Sequence, residues 1–368
     1  MGLEGELRVG LRVSGGRIEH VGITSTRPDV ARLLLQGRTR AEVGAAVPLL
    51  FSICGRSQAA ASALACAAAT GEAPAPDALA RFDATVAAET VREGAWRTLL
   101  DWPKGIGETP TDDAIAAARD SLSFRSGAPA DDGARAIALA VLGVAADEWL
   151  ALRSLSALDR WTDAGQTASA RFIRRVRDDD AAATETQRVA ATGVALLDHR
   201  HQAAWMAELS AACDGDPEFV RHPTWRDAPA ETGALARLQA DPLIGDLMRR
   251  SASRVPARFV ARLRELALLL AGQTPAATGA MALPCGGGLG WVENARGLLI
   301  HQVRFGQDRV GSYCIIAPTE WNFHPDGALA RALSGLPATD PDAVRRHATR
   351  LIHSLDPCVA CRVEFDHA

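Results

Sequence analysis

Leu351-Ile352-His353-Ser354-Leu355-Asp356-Pro357-Cys358-Val359-Ala360-Cys361 closes the last helical pattern of the chain on two cysteines three positions apart. Asp340-Pro341 upstream supplies an N-cap followed by proline at the first helical position. Val344, Ala348, Leu351, Ile352 and Leu355 then recur on one face, and Asp356-Pro357 stops the helix. A C-x-x-C spacing after such a stop lets both thiolates converge on one metal or on each other. Three readings fit the residues alone. A thioredoxin-type redox pair wants a helix after its first cysteine, and only seven residues follow Cys361. A structural zinc site wants four ligands, and Cys54, Cys285 and Cys314 come without a second C-x-x-C or a paired histidine motif. The third reading is two buried thiols.

Outward from that end, the chain reads as a helical majority with strands at both extremities. Strand-like segments fall at 296–304 and 310–316, and Gly286 to Gly290 reads as the turn before Glu293. Phe259, Val260, Leu263, Leu266, Ala267 and Leu270 form a helix face ended by Gly272. Pro217, Pro223 and Pro229 mark a break, and helical stretches are expected at 57–71, 76–99, 112–121, 131–158 and 165–210. Thr39-Arg40-Ala41-Glu42 has capping-box spacing ahead of Val43, Ala46, Val47 and Leu50, a helical pattern running to Cys54. Leu7, Val9, Leu11 and Val13 alternate, Gly15-Gly16 turns, and Ile18 to Ile23 returns as a second strand. The expected class is α+β, mostly α. One domain spans 1–368, with a hairpin at 5–23, a helical middle at 28–272 and a mixed region at 286–368. Both termini must converge if Cys54 and Cys358 share one site.

The 368 residues carry 40 Lys+Arg against 44 Asp+Glu, a net charge of −4, with 48% hydrophobic residues. That balance lacks the basic excess a nucleic-acid partner requires. No run approaches the ~20 apolar residues of a membrane span. The acidic start Met-Gly-Leu-Glu-Gly-Glu lacks the order of a signal peptide, and seven cysteines, an odd number, suit a reducing cytoplasm. A cytoplasmic protein is expected.

Six fragments in order resemble the large subunit of NiFe hydrogenases. Ser52-Ile53-Cys54-Gly55-Arg56-Ser57 is similar to that family's Arg-Ile-Cys-Gly-x-Cys, and Asp356-Pro357-Cys358-Val359-Ala360-Cys361 to its Asp-Pro-Cys-x-x-Cys. Leu3-Glu4-Gly5 with Leu7-Arg8-Val9 resembles the N-terminal Ile-Glu-Gly-His-Leu segment. Glu231 to Arg237 resembles Glu-x-Gly-Pro-Leu-Ala-Arg, Glu293 to Gly297 resembles Glu-Ala-Pro-Arg-Gly, and Ala317 to Asn322 resembles Val-Pro-Thr-x-Trp-Asn. A middle stretch from about 75 to 220 matches poorly.

The resemblance implies a hydrogenase-like helical core and a site for iron with two cyanides and one carbon monoxide. In the family the first cysteine of each pair is terminal on nickel and the second bridges nickel and iron. Cys54, Cys358 and Cys361 keep three of the four positions, whereas Ser57 replaces a bridging cysteine, and Ala61 and Glu364 stand where the family has histidines. A hydroxyl is a far poorer ligand than a thiolate for a soft metal site, so nickel suffers more than the iron fragment. The resemblance places Arg296 beside the iron ligands, the Thr319 hydroxyl at a cyanide, Pro318 as apolar wall and Glu4 on a proton-relaying glutamate. A guanidinium supplies several donors for such an electron-rich ligand, and Gly297 and His301 sit at the family's offsets.

Taken together these departures resemble the HupK and HoxV type of accessory protein. They imply a maturation scaffold that carries the iron unit transiently, holds no stable nickel and is not an enzyme. The implied partners are the maturation proteins that deliver the iron unit and, as candidate recipient, a hydrogenase large-subunit precursor. Two alternatives are a catalytic large subunit with a degenerate site and a cofactor-free structural subunit related to the quinone-site subunit of complex I. Ser57 speaks against the first and the retained cysteines against the second. The tail supports the scaffold, since catalytic subunits are usually made with a longer C-terminal extension. Cys361 is expected to matter most for iron, then Cys358, then Cys54. Gly286 to Gly290 is not expected to bind a dinucleotide, His199 and His201 are expected at the surface, and Cys66, Cys213, Cys285 and Cys314 are expected as buried small side chains.

Overall fold

The computed structural model describes residues 5–28, 30–51, 53–125, 132–183, 193–197, 202–273, 275 and 277–367. They fall into two compact units, one of residues 1–82, 185–236 and 277–368, the other of 83–184 and 237–276.

In the first unit the alternating start forms the expected hairpin, β1 (Glu6–Ser14) and β2 (Arg17–Ser25), with Val9 opposite Ile23 and Leu11 opposite Val21. Leu7, Val9 and Leu11 are buried, so the period-two pattern sets the inward face. The final segment, read only as a cysteine motif and tail, forms a strand of its own. Cys361, Val363 and Phe365 alternate with exposed Arg362 and Glu364, and β9 (Ala360–His367) runs parallel to β1 with Cys361 opposite Leu7. The sheet order is β2-β1-β9, which lays the end of the chain beside its beginning.

Between these lie β3 (Ala195–Leu196), β4 (Ala230–Glu231) and a four-stranded antiparallel meander, β5 (Thr278–Leu283), β6 (Gly287–Asn294), β7 (Gly297–Gly306) and β8 (Arg309–Ile316). β7 and β8 match the expected strands. Gly286 to Gly290, expected as a turn, is mostly strand β6. The glycines are there for packing: the helix Gly55–Ala69 lies directly on β6, and a methyl at Gly290 would sit 2.5 Å from Ala65 N and closer still to Ala61 O. The alanine-rich helix and the glycine-rich strand are two halves of one close backbone contact.

Local signals also fix the helix ends. Thr39 accepts from Glu42 N while the Glu42 carboxylate accepts from Thr39 N, a complete capping box, and the helix Arg40–Leu50 stops short of Cys54. Asp340 accepts from Asp342 N and Ala343 N to start the helix Pro341–Leu355, which Asp356 ends in the left-handed region at φ 51°.

The second unit is helical. Trp102, Phe172 and Phe259 form an aromatic triple, with centroids 4.6 Å apart for the stacked pair Trp102 and Phe172 and edge-on contacts from Phe259. Arg264 is buried, with Nε donating to Asp241 Oδ2 at 2.8 Å and Nη1 to Leu152 O at 2.9 Å. The stretch expected to be helical from 131 to 158 is broken at Gly143, φ 79°, resumes in the short helix Ala146–Leu150 and restarts again at the Ser154 cap. The stretch expected from 165 to 210 includes strand β3, whose pairing with β4 overrides a helical reading. Among the described residues no helix is long and apolar enough to cross a membrane.

Candidate functional site

Cys54 is the residue before the helix Gly55–Ala69, and Cys358 follows the stop of the helix Pro341–Leu355. Both border Arg27, which comes just after β2. Arg27 Nη2 donates to Cys358 Sγ at 2.9 Å, and Nη1 lies 3.9 Å from Glu320 Oε1. Burial works against the Arg27 charge, but Cys358, Glu320 and Cys54 more than offset it, and the guanidinium pKa is raised. Thr319 Oγ1 lies 3.1 Å from the same Cys358 sulfur. Glu320 is pushed up to about 6 by burial, against the pull of Arg27 and Arg221. Arg27, Glu320 and Arg221 line a cavity of about 260 Å³ together with Phe51, His222 and Phe323.

Cys54 has its own support. Gln58 Nε2 donates to Cys54 Sγ at 3.6 Å, and Gln58 Oε1 meets His301 Nε2 at 2.8 Å. An amide oxygen only accepts, so with this amide orientation His301 carries its proton on Nε2, and its Nδ1 lies 2.7 Å from the Tyr313 hydroxyl. Burial pushes His301 down to about 3 and Tyr313 up, so the imidazole is neutral and the phenol protonated at pH 7. Tyr313 also meets Ser62 Oγ at 2.8 Å, and the buried chain as a whole aims an amide N–H at the Cys54 sulfur.

Cys361 sits apart from Arg27. In β9 it lines a cleft with Arg345, Thr349, Ile352 and His353, and burial followed by the neighbouring Cys358 pushes its thiol up to about 12. Among the described residues no three His, Cys, Asp or Glu side chains converge closely enough to hold a metal ion.

Three of the sequence fragments are laced into one buried frame. Thr232 N donates to Asn322 Oδ1 at 2.9 Å, Leu298 N donates to Thr232 Oγ1 at 2.9 Å, and Asn322 Nδ2 donates to Arg296 O at 3.3 Å. Arg296 is buried in the turn between β6 and β7, where its N–H donates to Asn294 Oδ1. Gly297 is required there, since at φ 133° its missing side chain leaves room for Thr232. Asn322 ends the short helix Pro318–Asn322, so the frame ties Arg296 to the helix that presents buried Pro318 and Thr319.

Ser57 and Ala61 are both fully buried, and the Ala61 carbonyl lies against Gly290 of β6. Glu4, His199 and His201 lie outside the described residues. Cys66 is buried as expected, but Cys285 is exposed in a turn, and Cys213 and Cys314 are half-buried. Sequence reading missed Arg27, Gln58, Tyr313 and Glu320. Only Gln58 left a trace, four residues from Cys54 on a helix where such pairs face one another.

The family model described as nickel-dependent hydrogenase matches residues 257–364. The hydrogenase expression/formation protein HoxV of Cupriavidus necator is 34% identical over 365 residues, covering 94% of this chain and 92% of that protein. HupK of Azotobacter vinelandii is 30% identical, with full coverage of both chains. The NiFeSe hydrogenase of Desulfovibrio vulgaris Hildenborough, solved in its as-isolated oxidized state, superposes with a TM-score of 0.58 at 16% identity over 94% of each chain. The α+β fold is that of these hydrogenase chains.

Proposed function

Because this chain belongs to the HoxV and HupK family of hydrogenase expression/formation proteins, we propose that it carries an iron with two cyanides and one carbon monoxide as cargo and passes it on during NiFe active-site assembly. The observation that carries this reading is Cys358 held at once by the Arg27 guanidinium and the Thr319 hydroxyl, with Cys54 in the same field. The donor set suits such cargo. Soft thiolates match iron that already carries strong carbon ligands, and few protein donors are then needed. Arg27, Thr319 and Arg296 supply hydrogen-bond donors of the kind cyanide nitrogens accept.

Ser57 makes the same set unsuited to nickel, because the fourth position offers a hydroxyl in place of a bridging thiolate. The chain therefore holds no stable nickel and does not turn over hydrogen. Its partners are the maturation proteins that load the iron unit and a hydrogenase large-subunit precursor that receives it.

The test is anaerobic purification after co-production with the maturation proteins, followed by infrared spectroscopy and metal analysis. Cyanide and carbonyl bands with bound iron and no nickel are expected. Absence of both bands and iron would overturn the scaffold reading, and near-equimolar nickel with hydrogen-dependent dye reduction would place the chain among the catalytic subunits.

A further inference from the structure

Cys213 lies in the last turn of the helix Gln202–Gly215 and Cys314 lies in β8. Separate contacts bring them together. Cys314 stands opposite Gln302 of β7. Gln302 Nε2 donates to Asp214 Oδ1 at 2.9 Å, Arg304 Nε donates to the same oxygen at 3.1 Å, and Arg304 Nη2 bonds the other carboxylate oxygen. These bonds anchor the residue next to Cys213 onto the strand beside Cys314. Cys213 also packs against the apolar cluster that contains Leu289, Ile300 and Ile316, and Cys314 is near enough to act on its thiol. Both are only partly buried.

We propose that Cys213 and Cys314 form an oxidation site, converted by hydrogen peroxide into a reversible disulfide. Because Cys213 is held in its thiol form by its neighbours and by burial, Cys314 is the sulfur that reacts first. Its thiolate attacks the peroxide oxygen, forming an S–O bond as the O–O bond breaks and water leaves with the thiol proton. Cys213 then attacks the resulting sulfenic sulfur, the S–S bond forms, and the hydroxyl departs with the second thiol proton as another water. Two thiols and one peroxide give one disulfide and two waters. Cys213 is the resolving partner, its thiol pushed up by the neighbouring Cys314 and by burial.

The link would tie together two segments that wall the same cavity. Glu218, Arg221 and His222 follow Cys213, and Ile315, Ala317 and Glu320 follow Cys314. The site is independent of whether iron is the cargo, since it involves neither Cys54, Cys358 nor Cys361.

The test treats the full chain with hydrogen peroxide, blocks the remaining thiols with N-ethylmaleimide and maps the digest by mass spectrometry. Alkylatable thiols should fall from the seven of the reduced chain, with a Cys213–Cys314 cross-linked peptide that dithiothreitol removes. Cys314→Ser should abolish that peptide and Cys285→Ser should retain it, as should the doubly substituted Cys358→Ala, Cys361→Ala chain. Recovery of Cys213 and Cys314 fully alkylated after peroxide would overturn the proposal. So would their appearance as separate sulfinic or sulfonic acids, or a link that forms only when Cys358 and Cys361 are present.

Discussion

Arg27 does two things at one point: it donates to Cys358 and balances Glu320. Lysine would keep the charge but lose the planar pair of donors. Arg27→Met is expected to lower iron retention several-fold and Arg27→Lys by less, read as the iron-to-protein ratio after anaerobic purification. Retention equal to the parent in both would remove Arg27 from the site. Glu320 gives a separate pH signature. Its folded value of about 6 lies above the ordinary 4.5, so the folded state binds the proton more tightly than the unfolded chain does. The stability this group contributes is complete below about 4.5 and is lost as pH rises through about 6, a change of about 2 kcal/mol at most. Glu320→Gln, which mimics the neutral form, should flatten that part of the stability profile and raise the urea midpoint at pH 7. An unchanged slope between pH 4.5 and 6 would show that Glu320 does not titrate in this window.

At the scale of elements, the position of Cys54 depends on how closely the helix Gly55–Ala69 rests on β6. Alanines on the helix and glycines on the strand let the two backbones approach closely. Gly290→Ala is expected to destabilise the protein by about 1–3 kcal/mol, the usual cost of overpacking. It should also weaken iron retention by displacing the helix end beside Cys54. Gly44→Ala is the matched control, because Gly44 is exposed in a helix with nothing within 4 Å of an added methyl. There the change should stabilise by about 0.5–1 kcal/mol, through helix propensity. Chemical denaturation of both variants measures this, and equal midpoints would mean that the helix and strand separate without cost.

At the scale of the whole molecule, the parallel pairing of β9 with β1 turns a terminal cysteine motif into part of a sheet. Two changes that both remove Cys358 and Cys361 should therefore behave differently. Cys358→Ala with Cys361→Ala should keep the thermal midpoint within a few degrees and lose iron. Deletion of residues 358–368 should also leave β1 as an apolar edge strand and drive aggregation. Size-exclusion chromatography and thermal unfolding separate the cases, and a truncated chain as soluble and as stable as the double variant would show that β9 carries no structural weight.

What the sequence determined by itself was local in origin. The capping box at Thr39, the proline start after Asp340, the stop at Asp356 and the hairpin of β1 and β2 each rest on a few adjacent residues whose hydrogen bonds close among themselves. The cysteines and the frame residues Arg296 and Thr319 were legible because their residue types occur in recognisable order. Only the tertiary structure decided which of these meet. Arg27 had no neighbouring signal, since its partner sulfur lies 331 positions away, and the glycines of β6 resembled a turn until the alanine helix lay against them. Likewise β9, as long as β8, did not declare itself, because its hydrogen bonds close only onto β1 at the far end of the sequence. Contacts between residues distant in the chain are set by packing complementarity, which no short window of sequence contains.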